Sequence, residues 1–236
     1  MIDMIEIKTL ASGSKGNCYW ISDGSTPLLL ECGISYRNIQ IALDFNTTDI
    51  AGVLVTHEHK DHCKAVKEVA NRGLNIYMSE GTKEAIGIKN HRITTVVSKK
   101  KFEIGTWSIL PFDVEHDVSQ PMGFLLQNKD GDKLLFATDT YYIRYRFNGL
   151  THLLIECNYS MDILEQNIAS GLIPDVMKRR LIKSHFSLEN VKEFLKSNDL
   201  SKVKEIHLLH LSDSNSHESR FKQEIQELTG KVVYIA

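Results

Sequence analysis

The sequence predicts a mixed α/β fold in which sheets are covered by helices. Short apolar, β-branched runs recur along the whole chain, stretches of helical periodicity separate them into groups, and no repeat or low-complexity linker interrupts the pattern. With 236 residues, 42% hydrophobic and 25% charged, the chain can bury one large core, as a single domain over 1–236 or as two closely merged halves.

The elements follow in order. Strands are expected at Met4–Leu10, Cys18–Ser22, Pro27–Glu31, Ala51–Thr56 and Asn75–Met78, each apolar and β-branched or alternating. Further strands are expected at Trp107–Phe112, Gly123–Asn128, Lys133–Thr138, His152–Glu156, Glu205–His210 and Lys231–Ile235, with NKDGDK as a hairpin turn. Helical spacing marks Tyr36–Leu43, Lys64–Asn71, Met161–Ala169, Asp175–Ile182, Leu188–Lys196 and His217–Leu228. Ser187 is placed to cap the helix that starts at Leu188.

Composition narrows the function classes. Net charge is −2 and the sequence pI about 6.6, so there is no overall basic field, and a nucleic-acid partner requires a local patch. Cys18, Cys32, Cys63 and Cys157 show no CxxC spacing and lie in apolar surroundings, as expected for reduced thiols. The opening MIDMIEIKTL has neither a basic region nor a long apolar stretch, and no later run reaches membrane-spanning length, so a cytoplasmic location without membrane association is expected.

VLVTHEHKDH carries the chemistry. His57, His59, Asp61 and His62 follow the buried strand Ala51–Thr56 in one short loop, which can aim several side chains at one place. Imidazole and carboxylate suit Zn, Mn or Fe(II), and the lack of a thiolate argues against a structural zinc finger. The plain alternative is a solvated polar loop. His116, Asp139 and His210 also fall where strands end, so that all of these residues can share one rim.

These residues resemble the ligand series of the metallo-β-lactamase superfamily of binuclear metallohydrolases, in order: THEHKDH, His116, ATDT and HLS. The resemblance implies an αββα four-layer sandwich with two divalent metal ions, Zn or Mn, at one edge. LASGSKGNCYWI, LLLECGIS, PMGF, SHFSLENV and LLHLSDSNS look further like the YycJ/WalJ branch, whose members are associated with exonuclease activity on DNA. The resemblance implies that His57, His59 and His116 hold one ion, that Asp61, His62 and His210 hold the other, and that Asp139 bridges them. A hydroxide held between the ions would be the nucleophile of an in-line displacement at a phosphodiester, and Asp61 could orient it.

The same branch motif points to His185 as a contact to the scissile phosphate or a proton donor to the leaving oxygen, with Glu156 fixing its tautomer. Lys178, Arg179, Arg180 and Lys183 precede it, either as phosphate contacts or as a solvated helix face; the basic clusters at 89–92 and 98–101 read as solvated loops. The glycine-rich ASGSKGNCY is either a plain hairpin turn or a loop near the active site, with Ser12, Ser14 and Asn17 as substrate contacts; Asn158 is a further candidate contact. Two departures from the branch pattern stand out. Glu31–Cys32 replaces Asp and a small residue, and Tyr159 stands where a histidine is common. A DNA exonuclease and a small-molecule phosphodiesterase acting on a cyclic nucleotide are both compatible with the ligand set, whose completeness argues against a metal-binding scaffold without turnover, while hydrolysis of a thioester or β-lactam is chemically possible on this fold.

Overall fold

The computed structural model describes residues 5–236, which fall into two compact units divided at Asp113/Val114, Asp117/Val118 and Asp132/Lys133.

The first unit contains a six-stranded sheet in the order β1-β2-β3-β4-β5-β6, formed by Glu6–Ala11, Cys18–Ser22, Leu28–Leu30, Gly52–Leu54, Ile76–Met78 and Ile93–Thr95. β1 to β3 are antiparallel neighbours, while β3 to β6 run parallel. Met4, the expected first residue of β1, lies outside the described residues. The unit also holds β7 (Phe102–Ile104), β8 (Trp107–Asp113) and β9 (Met122–Gln127), paired antiparallel. Its core packs Leu29, Val53, Val55, Val66, Val69 and Ile76, all fully buried, against Ile39 of α1 (Tyr36–Ala42). The turn after β9 closes on itself: Asn128 N–H donates to Asp132 O, and Gly131 supplies the positive φ of +87°.

The second unit contains the parallel array β10 (Lys133–Ala137), β11 (His152–Glu156), β12 (Glu205–Leu209) and β13 (Val232–Ile235). β10, β11 and β12, buried on both faces, read as continuous apolar runs, whereas β13 alternates and exposes Val232 and Tyr234. The unit's helices are α5 (Met161–Ala169), α6 (Asp175–Ser184), α7 (Leu188–Lys196) and α8 (Glu218–Thr229). Ser187 caps α7 as expected, its hydroxyl accepting from Asn190 N–H.

The sequence reading missed four elements. One is α2 (Lys60–Cys63), which lies in the stretch expected as loop; the helix expected from Lys64 begins at Val66 (α3, Val66–Asn71), because Ala65 leaves helical geometry at φ −92°, ψ 3°. α4 (Glu80–Ile86) was expected as loop; it is short and polar, though Ser79 caps its start and Gly87, at φ +70°, ends it. β6 and β7 were missed because, unlike the equally short but buried β3 and β4, they mix exposed and buried residues and form no apolar run. No helix among the described residues is long and apolar enough to cross a membrane. All four cysteines are free and buried, and burial pushes the Cys63 thiol up to about 12.

Candidate functional site

Most of the candidate ligands lie in loops that leave the carboxyl ends of parallel strands, where α/β folds place their sites, and His116 follows the antiparallel strand β8. In the first unit β4 runs into the motif loop. His57 and His59 sit on its extended part, two residues apart and so facing the same way, and His59 is the N-cap residue of α2. Asp61 and His62 lie on the first turn. The result is a compact imidazole cluster: His57 Nε2 and His59 Nδ1 are 3.2 Å apart, and the rings of His57 and His62 are 4.1 Å apart. The Thr56 hydroxyl lies 2.8 Å from His57 Nδ1, which leaves Nε2 turned into the cluster.

Two neighbouring loops clasp this one. Asn17 N–H donates to Asp61 O (2.7 Å), Cys32 N–H donates to His62 O (2.9 Å), and Gly33 N–H donates to Asn17 O (2.8 Å). The approach is so close that a Cβ on Gly33 would stand 1.6 Å from Asp61 O; only glycine fits. Asn17 itself is fully buried: its Oδ1 accepts from Gly13 N–H and the Tyr19 hydroxyl, and its Nδ2 lies 3.2 Å from His62 Nε2. It is therefore placed to hold the motif loop. Both readings of the glycine-rich stretch apply, since it joins antiparallel β1 and β2 and also packs on the motif. Ser12 accepts from the Tyr19 hydroxyl, and Ser14 is exposed.

Glu31, one of the two departures from the branch pattern, occupies a buried left-handed position at φ +65° just past β3. Its carboxylate accepts from Thr56 N–H and reaches His62 Nδ1 at 3.5 Å. Burial raises its pKa, and the contacts to His62 and Thr56 oppose that rise. The longer side chain thus supports both ends of the motif loop.

In the second unit three adjacent strands deliver functional residues at their ends: β10 leads to Asp139, β11 ends at Glu156 and β12 leads to His210. Asp139 (φ +47°) and His210 (φ +53°) are both left-handed, a conformation that costs about 1–3 kcal/mol for a residue with a side chain and persists where function requires it. The two Asp139 oxygens face different imidazoles: Oδ1 lies 3.8 Å from His210 Nε2, and Oδ2 lies 4.0 Å from His116 Nε2. Asp117, which sequence reasoning overlooked, places Oδ1 3.4 Å from His116 Nδ1 and accepts from the Ser184 hydroxyl. Asn158 Nδ2 donates to His210 O (2.7 Å) and lies 2.9 Å from its Nδ1, fixing that ring.

Glu156 is fully buried and anchored. One oxygen accepts from Thr140 N–H (3.0 Å) and Phe186 N–H (3.1 Å), and the other accepts from His185 Nδ1–H at 2.6 Å. A carboxylate can only accept, so the proton between them belongs to the imidazole, and Nε2 remains for chemistry. The His185 side chain keeps 20% of its surface exposed and stacks on His210 at 5.4 Å. Arg179 and Arg180 are exposed on α6, whose C-cap is His185, whereas Tyr159 is buried, and burial pushes its hydroxyl up to about 12.

The donor sets fit divalent metal ions. Two nitrogens bound at 2.0–2.1 Å to one tetrahedral ion stand about 3.4 Å apart, close to the separation of His57 Nε2 and His59 Nδ1. The Asp139 separations from His116 and His210 are too long for hydrogen bonds, yet they suit ligands that share an ion. Asp139, Glu156, His185 and His210 each offer one ligand atom, all within 4.8 Å of one another.

Buried His/Asp sets at the ends of parallel strands in a mixed α/β chain define a metal-dependent hydrolase. Residues 27–207 match the β-lactamase superfamily domain, and the chain belongs to that superfamily, in its YycJ/WalJ-like branch, with the metallo-β-lactamase fold. It is 28% identical to the exodeoxyribonuclease YycJ of Bacillus anthracis, over 95% of this chain and 89% of that one. It is 30% identical to the exodeoxyribonuclease WalJ of Streptococcus pneumoniae D39, over 88% of this chain and 81% of that one. The metallo-β-lactamase fold protein YhfI of Bacillus subtilis shares the architecture at a TM-score of 0.74, covering 99% of this chain and 97% of its own, with 15% identity.

Proposed function

We propose that this protein is a binuclear metal-dependent phosphodiesterase that removes nucleotides from DNA ends, its two units acting together as one domain. His57, His59 and His116 would hold one divalent ion, Asp61, His62 and His210 the other, and Asp139 would serve both, with Zn or Mn equally suited to these donors. Such ions, when bound, supply Lewis acidity for the phosphoryl oxygen and acidify a water towards neutrality.

The chain's own residues do the rest. Asp61 accepts a hydrogen bond from the attacking water and orients it. His185, as the imidazolium, donates its Nε2 proton to the leaving oxygen, while Glu156 keeps Nδ1–H, orients the ring and stabilises the cation. Arg179 and Arg180 supply positive charge for the phosphate backbone, while Ser12 and Ser14 are weaker contacts. The observation that carries this reading is the His185–Glu156 pair, an anchored proton donor beside Asp139 and His210, in a chain whose curated relatives are exodeoxyribonucleases. Four buried thiols support a reducing, cytoplasmic setting.

The test is hydrolysis of end-labelled single- and double-stranded DNA by protein reconstituted with Mn or Zn, beside a panel of cyclic nucleotides, with an Asp61→Ala, His62→Ala double variant as control. Release of mononucleotides from DNA ends, lost in the variant, is expected. Turnover of a cyclic nucleotide with DNA left intact would replace this reading with the small-molecule phosphodiesterase.

A further inference from the structure

Four histidines of the candidate site turn Nδ1 towards a protein group that can fix the ring. His57 Nδ1 lies 2.8 Å from the Thr56 hydroxyl, His62 Nδ1 3.5 Å from Glu31, His185 Nδ1 2.6 Å from Glu156 and His210 Nδ1 2.9 Å from Asn158 Nδ2. A ring held in this way keeps Nε2 for the site, and the group on its outer nitrogen sets tautomer and direction. His116 meets a group of the same kind in its own neighbour along the chain, Asp117.

The His116 ring is buried, and its two nitrogens face different carboxylates. Nε2 is 4.0 Å from Asp139 Oδ2, on the ligand side, while Nδ1 is 3.4 Å from Asp117 Oδ1. Asp117 keeps 54% of its side chain exposed, so water alone could satisfy it. It is turned inward instead by the Ser184 hydroxyl, which donates to the same Oδ1 at 2.9 Å. No lysine or arginine forms an ion pair with this carboxylate among the described residues, so its side-chain partners are His116 and Ser184.

Ser184 is buried, is the last residue of α6 and directly precedes His185. A single oxygen atom therefore meets both the outer nitrogen of a candidate ligand and the helix end that carries the proton donor. The backbone beside His116 is fixed as well: Glu115 O accepts from Tyr141 N–H, and Glu115 N–H donates to the Thr140 hydroxyl, which ties this loop to the one that carries Asp139.

We propose that Asp117 is a positioning residue of the metal centre: it orients His116 through Nδ1 so that Nε2 faces the ion, and Ser184 keeps the carboxylate in place. This rests on the metal-centre part of the function proposed above and is independent of which ester is cut.

The experiment is zinc binding by the full chain, freed of metal and titrated in competition with a chromophoric chelator. It compares wild type, Asp117→Ala, Asp117→Asn, Ser184→Ala, His116→Ala and the double variant Asp117→Ala, His116→Ala, with circular dichroism to show that each is folded. Loss of a carboxylate that supports a ligating histidine predicts that Asp117→Ala binds zinc about 10- to 100-fold more weakly. Asp117→Asn recovers most of that loss, because its amide oxygen can still accept from Ser184 and face His116 Nδ1, and Ser184→Ala falls between wild type and Asp117→Ala. In the His116→Ala background Asp117→Ala has no further effect, since the ring through which it acts is gone, whereas a merely structural role would weaken binding there by the same factor. Zinc binding by Asp117→Ala within about twofold of wild type, or an equal loss in the His116→Ala background, would overturn the proposal. The two readings fail separately: a wild type that binds no zinc defeats the metal centre and this inference with it, while a wild type that binds two ions whatever stands at position 117 defeats this inference alone.

Discussion

Glu156→Gln isolates the role of the carboxylate that holds His185. The glutamine is nearly isosteric, but it carries one acceptor and one donor where the carboxylate carries two acceptors. If its oxygen faced His185 Nδ1–H, its NH₂ would confront Thr140 N–H and Phe186 N–H, which now donate to Glu156 at 3.0 and 3.1 Å. Two buried donors would then lose their acceptor, at about 1–3 kcal/mol each. The amide therefore turns the other way, oxygen to the two backbone donors and NH₂ to His185 Nδ1. That satisfies every group but forces the histidine into the neutral tautomer with its proton on Nε2 and removes the anion that stabilises the imidazolium. Loss of general acid catalysis predicts a fall in kcat of about 10²- to 10⁴-fold, with bound metal and KM for DNA little changed. The assay is steady-state hydrolysis of end-labelled DNA across pH, with metal content measured alongside. The pH dependence of kcat changes in shape, which a merely structural defect would not cause. A kcat within about threefold of wild type at equal metal content would refute the assignment.

Gly33→Ala places a Cβ 1.6 Å from Asp61 O, a collision the backbone must yield to; it is expected to destabilise the protein by about 3 kcal/mol or more, beyond ordinary overpacking, and thermal unfolding measures this. Asp139→Ala removes the carboxylate whose oxygens face both His116 and His210, so elemental analysis should find fewer bound metals than in a His59→Ala variant. Chelation of the wild type should lower Tm, by an amount corresponding to about 2.7 kcal/mol where free metal had stood at 100 times its Kd. Arg220 holds the Asp162 carboxyl down at about 2, so the ion pair stabilises the fold above the ordinary aspartate range and this contribution is lost as pH falls through about 2. Because the pair is exposed, Arg220→Ala should cost about 1 kcal/mol or less at pH 7, a Tm difference of about 2–4 °C at most that narrows towards pH 2.

The strand ends that carry the candidate site were legible because their residues are chemically distinctive and their spacing is local. The HEHKDH loop follows a buried strand and runs into a helix, and Asp139, Glu156 and His210 each stand at the end of an apolar run. Helices α5 and α7 were legible to the residue, α5 from its periodicity and α7 from periodicity with the Ser187 cap. What was not legible depends on contacts distant in sequence. That Gly33 must be glycine follows only from Asp61 lying against it, and that Asn17 is a buried brace follows only from its reach to residues 61 and 62. Glu31 looked like a departure that could disturb the metal loop; folding shows it bonded to Thr56 and near His62.

The most direct test of the central claim is a titration of metal-free protein with Mn or Zn, following mononucleotide release from end-labelled DNA. The account predicts that release is absent without metal and reaches its full rate at two equivalents per chain. Full activity on DNA with no metal bound, or no release from DNA with two ions bound, would contradict it.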